Sequence, residues 1–203
     1  VSHIVGAALG IAALVLCIIV SAKHHSGIGV ISSCIYGVTL IVLYTMSSVY
    51  HGLRPGMGKK VMQVLDHCTI YFLIAGSYTP ICLIALKGHT GKLLCILVWS
   101  VALVGIIVKA CWITCPKWFS SVIYIGMGWL CVLAFSQIFH ALSKPAFGWL
   151  LAGGIIYTIG GIIYALKVPI FNAKHKNFGS HEIFHLFVMG GSCLLYTSDA
   201  ADE

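Results

Sequence analysis

The chain has 203 residues, 60% of them apolar and 8% charged, with a formal net charge of +7. A soluble domain carries about 25% charged residues. A globular core of this length has no use for so much apolar surface, so the composition excludes a soluble protein and requires a bilayer. Basicity of this kind would suggest nucleic acid in a soluble chain. Here the cations sit in the connections between apolar runs and read as membrane topology, with no nucleic-acid partner expected.

About 20 apolar residues cross a bilayer, and by that measure seven spans are predicted. They lie near 3–22, 29–50, 67–86, 92–109, 119–139, 148–167 and from 181 onward. The expected fold is an all-α membrane protein, a seven-transmembrane-helix bundle. In the first span Gly6 and Gly10 form a GxxxG, a pattern that lets helices approach closely. The second closes on SSVYH, where Ser47 and His51 are four apart and share a helix face. HGLRPGMGKK reads as the following loop, which puts Asp66 at the start of the third span. Pro80 is expected to kink that span, with Ser77 and Thr79 bonding the carbonyls it frees. Two apolar spans follow, and the sixth carries Gly153 and Gly160 seven apart on one face.

The seventh span opens on HEIFH, so His181 and His185 point the same way one turn apart. From His181 to Ser192 there are 12 residues, about 18 Å of helix against a hydrocarbon core of about 30 Å. The tail after it, CLLYTSDAADE, resembles an in-frame read-through of a sequencing adapter. Residues 1–192 are therefore expected to form the domain, with a shortened last helix, and 193–203 to be an artefact. The start at Val1, without an initiator methionine, suggests a missing N-terminus. The tail holds Asp199, Asp202 and Glu203, which leaves Asp66 and Glu182 as the acidic residues of the domain.

Placing the N-terminus in the cytoplasm puts Arg54, Lys59, Lys60, Lys109, Lys117, Lys167, Lys174 and Lys176 inside. Lys23, Lys87, Lys92 and Lys144 then lie outside, and the excess of cations inside selects this orientation. His51, Asp66 and His181 then share the cytoplasmic interface. Six of the nine cysteines (17, 34, 68, 82, 95 and 131) fall inside apolar runs and read as small buried hydrophobes. Cys111 and Cys115 have one spacer too many for CxxC.

Polar groups at these depths call for a reason. His51, His181 and His185 are three imidazoles from two segments. With an aspartate nearby they make the inventory of an open zinc site, whose fourth position belongs to water. Singly, each has a plainer explanation. HxxxH alone is a weak signal, His51 can be an interfacial histidine, and Asp66 can cap a helix. Glu182 points away from its neighbour and complements a helix N-terminus. His67 projects about 100° from Asp66 on a helix and is set aside. His3, His24, His25, His89, His140 and His175 fall at helix ends or in loops without comparable partners.

SSVYHGL, LDHCTIYFLIAGSYTP and HEIFHLFVMGGS closely resemble, in order, the three signature segments of the hemolysin III family. That family is the bacterial branch of the progestin and adiponectin receptor group, whose SxxxH, Asp and HxxxH elements are shared with a superfamily including alkaline ceramidases. The resemblance implies that His51, His181 and His185 bind Zn2+, that Asp66 holds the water at the metal, and that Ser47 lines the site. It also implies a multi-pass protein of the bacterial plasma membrane with membrane lipids as partners. Zinc lowers the pKa of bound water from 15.7 to about 7, which suits hydrolysis of an amide or ester of a long-chain lipid. Asp66 and Ser47 are then the expected catalytic residues. The same inventory suits a receptor-like regulator with a structural zinc, and the family name implies a cytolysin, although no amphipathic pore-forming stretch is evident.

Overall fold

In the computed structural model the described residues are 2–86, 88–112 and 116–166, with side chains from 3 to 163 apart from Lys117. All regular structure among them is helical. The elements are α1 (Ser2–Lys23), α2 (Gly27–Gly52), α3 (Met57–Pro80), a π-helical turn (Ile81–Ala85), α4 (His89–Cys111), α5 (Lys117–Gly128), a 3₁₀ segment (Trp129–Ala134), α6 (Phe135–Ala141) and α7 (Lys144–Leu166). They give six helices long and apolar enough to cross a membrane, α5 to α6 counting as one. These match the first six expected spans. The seventh lies outside the described residues.

The surface of the bundle is apolar: aliphatic side chains face outward, with Leu9 61% and Leu16 62% exposed. The interior mixes aliphatic residues such as Leu40 and Val98 with Tyr36 and Thr39, the last two each 1% exposed. Lipid tails are as apolar as leucine, so what holds such helices together is close packing and hydrogen bonding. Glycines supply the close approach. Gly6 and Gly10 of α1 meet α2, and a Cβ at Gly6 would lie 3.2 Å from the Tyr44 ring. Farther along, each helix offers a notch to the one before it. A Cβ at Gly37 of α2 would come to 2.9 Å from Leu14 Cβ. One at Gly76 of α3 would come to 2.9 Å from Thr39 Cβ, and one at Gly105 of α4 to 2.7 Å from Tyr71 Cδ1. Gly153 and Gly160 of α7 are both buried, in keeping with one packed face.

Connections are short and locally determined. His25 turns the chain after α1 at φ 53°, a left-handed conformation in which histidine is enriched. The Ser26 hydroxyl then accepts from Gly29 N at 3.0 Å and caps α2. Gly88, at φ 104°, makes the corresponding bend before α4. The α2–α3 connection shrinks to Leu53–Gly56, closed by Lys59 Nζ donating to Leu53 O at 3.0 Å.

Two details of α3 differ from expectation. It starts ten residues earlier than the apolar run, at Met57. Its first turns are polar and exposed, and hydropathy detects the apolar part of a helix only. Pro80 closes the α-helix into a π-helical turn, in which Leu86 N donates to Ile81 O at 2.8 Å, five residues back. Ser77 and Thr79 do bond carbonyls, those of Ile74 (2.8 Å) and Ala75 (3.1 Å). The carbonyl four residues before Pro80 is that of Gly76, so neither serves the one the proline frees.

The fifth span is likewise interrupted. Tyr78 Oη lies 3.0 Å from Met127 O and 2.6 Å from Gly128 O and accepts from Cys131 N at 2.9 Å. A buried phenol on α3 thus satisfies the backbone where α5 tightens into the 3₁₀ segment.

Candidate functional site

Ser47 and Asp66 are brought together from different helices. Ser47, on the last turns of α2, is 2% exposed, and its hydroxyl hydrogen-bonds to the carboxylate of Asp66, 7% exposed. Asp66 is the tenth residue of α3, about 13 Å along the helix from Met57. It therefore neither caps nor begins that helix. Because α3 starts early, the carboxylate lies inside the bundle, and its backbone carbonyl accepts from Thr69 Oγ1 at 2.7 Å.

Both side chains line a cavity of about 220 Å³ that runs between α2, α3, α5, α6 and α7. Its polar groups include Ser47, Asp66, His67 and Ser121, at the end of the bundle where α2 stops and α3 and α5 start. Leu73, Ile81, Ile138 and Leu150 are among its apolar walls. From Asp66 to Tyr78, both on the wall, is about 18 Å of helix.

Two histidines that spacing arguments set aside also face this cavity. His67 is 8% exposed, and its Nδ1 lies 2.6 Å from Gln63 O. A carbonyl only accepts, so Nδ1 is the donor in this bond. Tyr124 Oη donates to His67 O at 3.1 Å, tying α5 to α3 at this level. His3 is 6% exposed and packs edge-on against Tyr44, ring centroids 5.1 Å apart. A cavity shared by several helices is wide enough for residues about 100° apart on one helix to line it together. Pairwise spacing within one helix carries no such signal.

His51 occupies the end of α2, one turn beyond Ser47. It is exposed, its ring lies 4.9 Å from that of Tyr50, and it is not part of the cavity wall. His181 and His185 lie outside the described residues. Among the described residues no three His, Cys, Asp or Glu side chains converge on a metal-sized position. Of the zinc set expected from the sequence, His51 ends α2 and Asp66 lies on α3, and of the two only Asp66 reaches the cavity. The seven described cysteines are free thiols.

The sequence profile of the haemolysin-III related family matches residues 1–196. The chain is similar to Hemolysin-3 of Bacillus cereus, at 38% identity over 97% of this chain and 86% of that protein. It is similar also to the Hemolysin-3 homolog of Bacillus subtilis, at 37% identity over 97% of this chain and 88% of that one. More distantly it resembles the adiponectin receptor protein of Drosophila melanogaster, at 28% identity over 77% of this chain and 39% of the receptor. Six apolar spans, a buried serine–aspartate pair and this match together establish a multi-pass membrane protein that belongs to the haemolysin-III related family.

Proposed function

We propose that the protein is a zinc-binding protein of membrane-lipid homeostasis that hydrolyses an amide or ester of a long-chain lipid. The observation that carries this reading is the Ser47–Asp66 pair, buried at the polar end of an apolar cavity. At about 220 Å³ the cavity is below the roughly 300–1,000 Å³ of pockets for drug-sized ligands. It suits one acyl chain, with the bulk of a lipid outside it.

His51, His181 and His185 would hold the zinc. When bound, zinc supplies Lewis acidity toward a carbonyl and toward water. The chain's own groups do the rest. The Ser47 hydroxyl occupies one acceptor site of the Asp66 carboxylate and fixes its orientation, leaving other lone pairs to receive a proton from water. The apolar walls hold the chain and exclude bulk water. The membrane is taken as the bacterial plasma membrane with the N-terminus in the cytoplasm, following the balance of basic residues.

The test compares cells lacking the protein with cells complemented by wild type or by Asp66→Asn at equal expression. Asparagine keeps the shape and loses the base, so turnover should fall roughly 10²–10⁴-fold while the purified variant keeps its zinc. Identical lipid profiles in the two complemented strains would refute hydrolysis and leave a structural zinc.

The name of the Bacillus cereus relative, Hemolysin-3, favours a second reading, lysis of foreign membranes. Release of haemoglobin from red cells by wild type and Asp66→Asn alike would support it.

A further inference from the structure

Seven hydroxyl side chains face the cavity: Ser47, Ser77, Tyr78, Ser121, Tyr124, Tyr157 and Thr158. Six have partners. Ser47 bonds Asp66, Ser77 bonds Ile74 O, Tyr78 serves the 3₁₀ segment, Tyr124 bonds His67 O, Thr158 bonds Gly154 O, and Tyr157 is engaged as well. Ser121 is 1% exposed, and among the described residues its Oγ has no hydrogen-bond partner.

This is unusual for a helical serine, whose ordinary recourse is a carbonyl one turn back. Ser32 and Ser48 take it, at 2.8 and 2.7 Å. A buried polar atom left unbonded is costly and demands an explanation such as a bound group. The location supplies one. Ser121 and Tyr124 are three apart on α5 and so share a face. Tyr124 reaches the backbone of His67, the residue after Asp66. Ser121 is therefore turned toward α3 at the polar end of the cavity.

Resting on the lipid reading above, we infer that Ser121 is a ligand-positioning residue. Its hydroxyl hydrogen-bonds the carbonyl or hydroxyl that adjoins the chain of a lipid seated in the cavity. It sets the depth of the chain and so presents the acyl carbon to the Asp66 end. Ser121 takes no part in proton transfer.

The experiment titrates full-length protein in detergent with hexadecanamide, and separately with hexadecane as the chain without a polar head, reading binding from the ligand-induced rise in Tm. Ser121→Ala should weaken hexadecanamide binding roughly 3- to 10-fold, the value of one net hydrogen bond. It should leave hexadecane binding unchanged, and Ser121→Thr should restore the amide. The ligand-free Tm of Ser121→Ala should equal or exceed that of wild type, because no bond among the described residues is lost. Unchanged amide binding by Ser121→Ala overturns the inference while the lipid reading stands. So does a lowered ligand-free Tm that Ser121→Thr restores with no change in binding, since the hydroxyl would then serve the fold. Wild type binding neither compound overturns the lipid reading and the inference with it.

Discussion

One hydroxyl–carboxylate bond, Ser47 to Asp66, joins α2 to α3 inside the bundle. Ser47→Ala leaves the buried carboxylate without that donor, at a cost of about 1–3 kcal/mol. The Tm of the detergent-solubilised protein should fall accordingly, and Ser47→Thr, which keeps the hydroxyl, should recover most of it. An alanine variant as stable as wild type would show that water satisfies Asp66 instead. The members of this pair were legible in the sequence because a serine and a histidine four apart and a lone aspartate stand out against an apolar background. The bond between them was not, since its partners lie on different helices. His3 and His67 were illegible for the same reason. A residue's neighbour along a helix is fixed by 3.6-residue periodicity, whereas its neighbour across a cavity depends on where every other helix stands.

Among elements, the glycine notches govern how closely helices approach. Gly105→Ala drives a methyl group into the Tyr71 ring, itself 1% exposed and packed in the core. Overpacking of this kind costs about 1–3 kcal/mol. Gly148 of α7 faces open space, so Gly148→Ala should be neutral, or stabilising by up to about 1 kcal/mol through helix propensity. Thermal unfolding of the two variants side by side checks the contrast. Equal effects would mean that the loss at Gly105 is not one of packing. The GxxxG of α1 announced its role through a recognisable spacing. Gly37, Gly76 and Gly105 are single glycines, and no spacing distinguishes them from any other. Helix ends were hidden in a similar way. The polar turns from Met57 to Gln63 are as helical as the apolar ones behind them, but composition reveals the part of a helix that meets lipid.

For the whole molecule, the apolar runs foretold six spans because the bilayer imposes one length on all of them. Orientation rests on the balance of basic residues, and Asp66 is the one carboxylate among the described residues. On a cysteine-depleted background, a cysteine at Lys59 should be protected from an impermeant label in intact cells. One at Lys92, near the opposite end of the bundle, should react. The reverse pattern would invert the protein in its membrane.

The notches also bear on the order in which the chain is made. From α1 to α4 every close fit joins neighbours in sequence, Leu14 with Gly37, Thr39 with Gly76 and Tyr71 with Gly105. A ribosome releases these helices in that same order, so each one emerges already shaped to the surface waiting for it. Four of the six described spans can then close while the rest of the chain is still being translated. A photoreactive residue at Leu14 should cross-link to α2 in nascent chains stalled soon after Trp112 has entered the membrane. Cross-linking that waits for α7 would place assembly after synthesis. The cavity, which needs α5 to α7 for its far wall, comes into being last, when the first four helices are already in the bilayer.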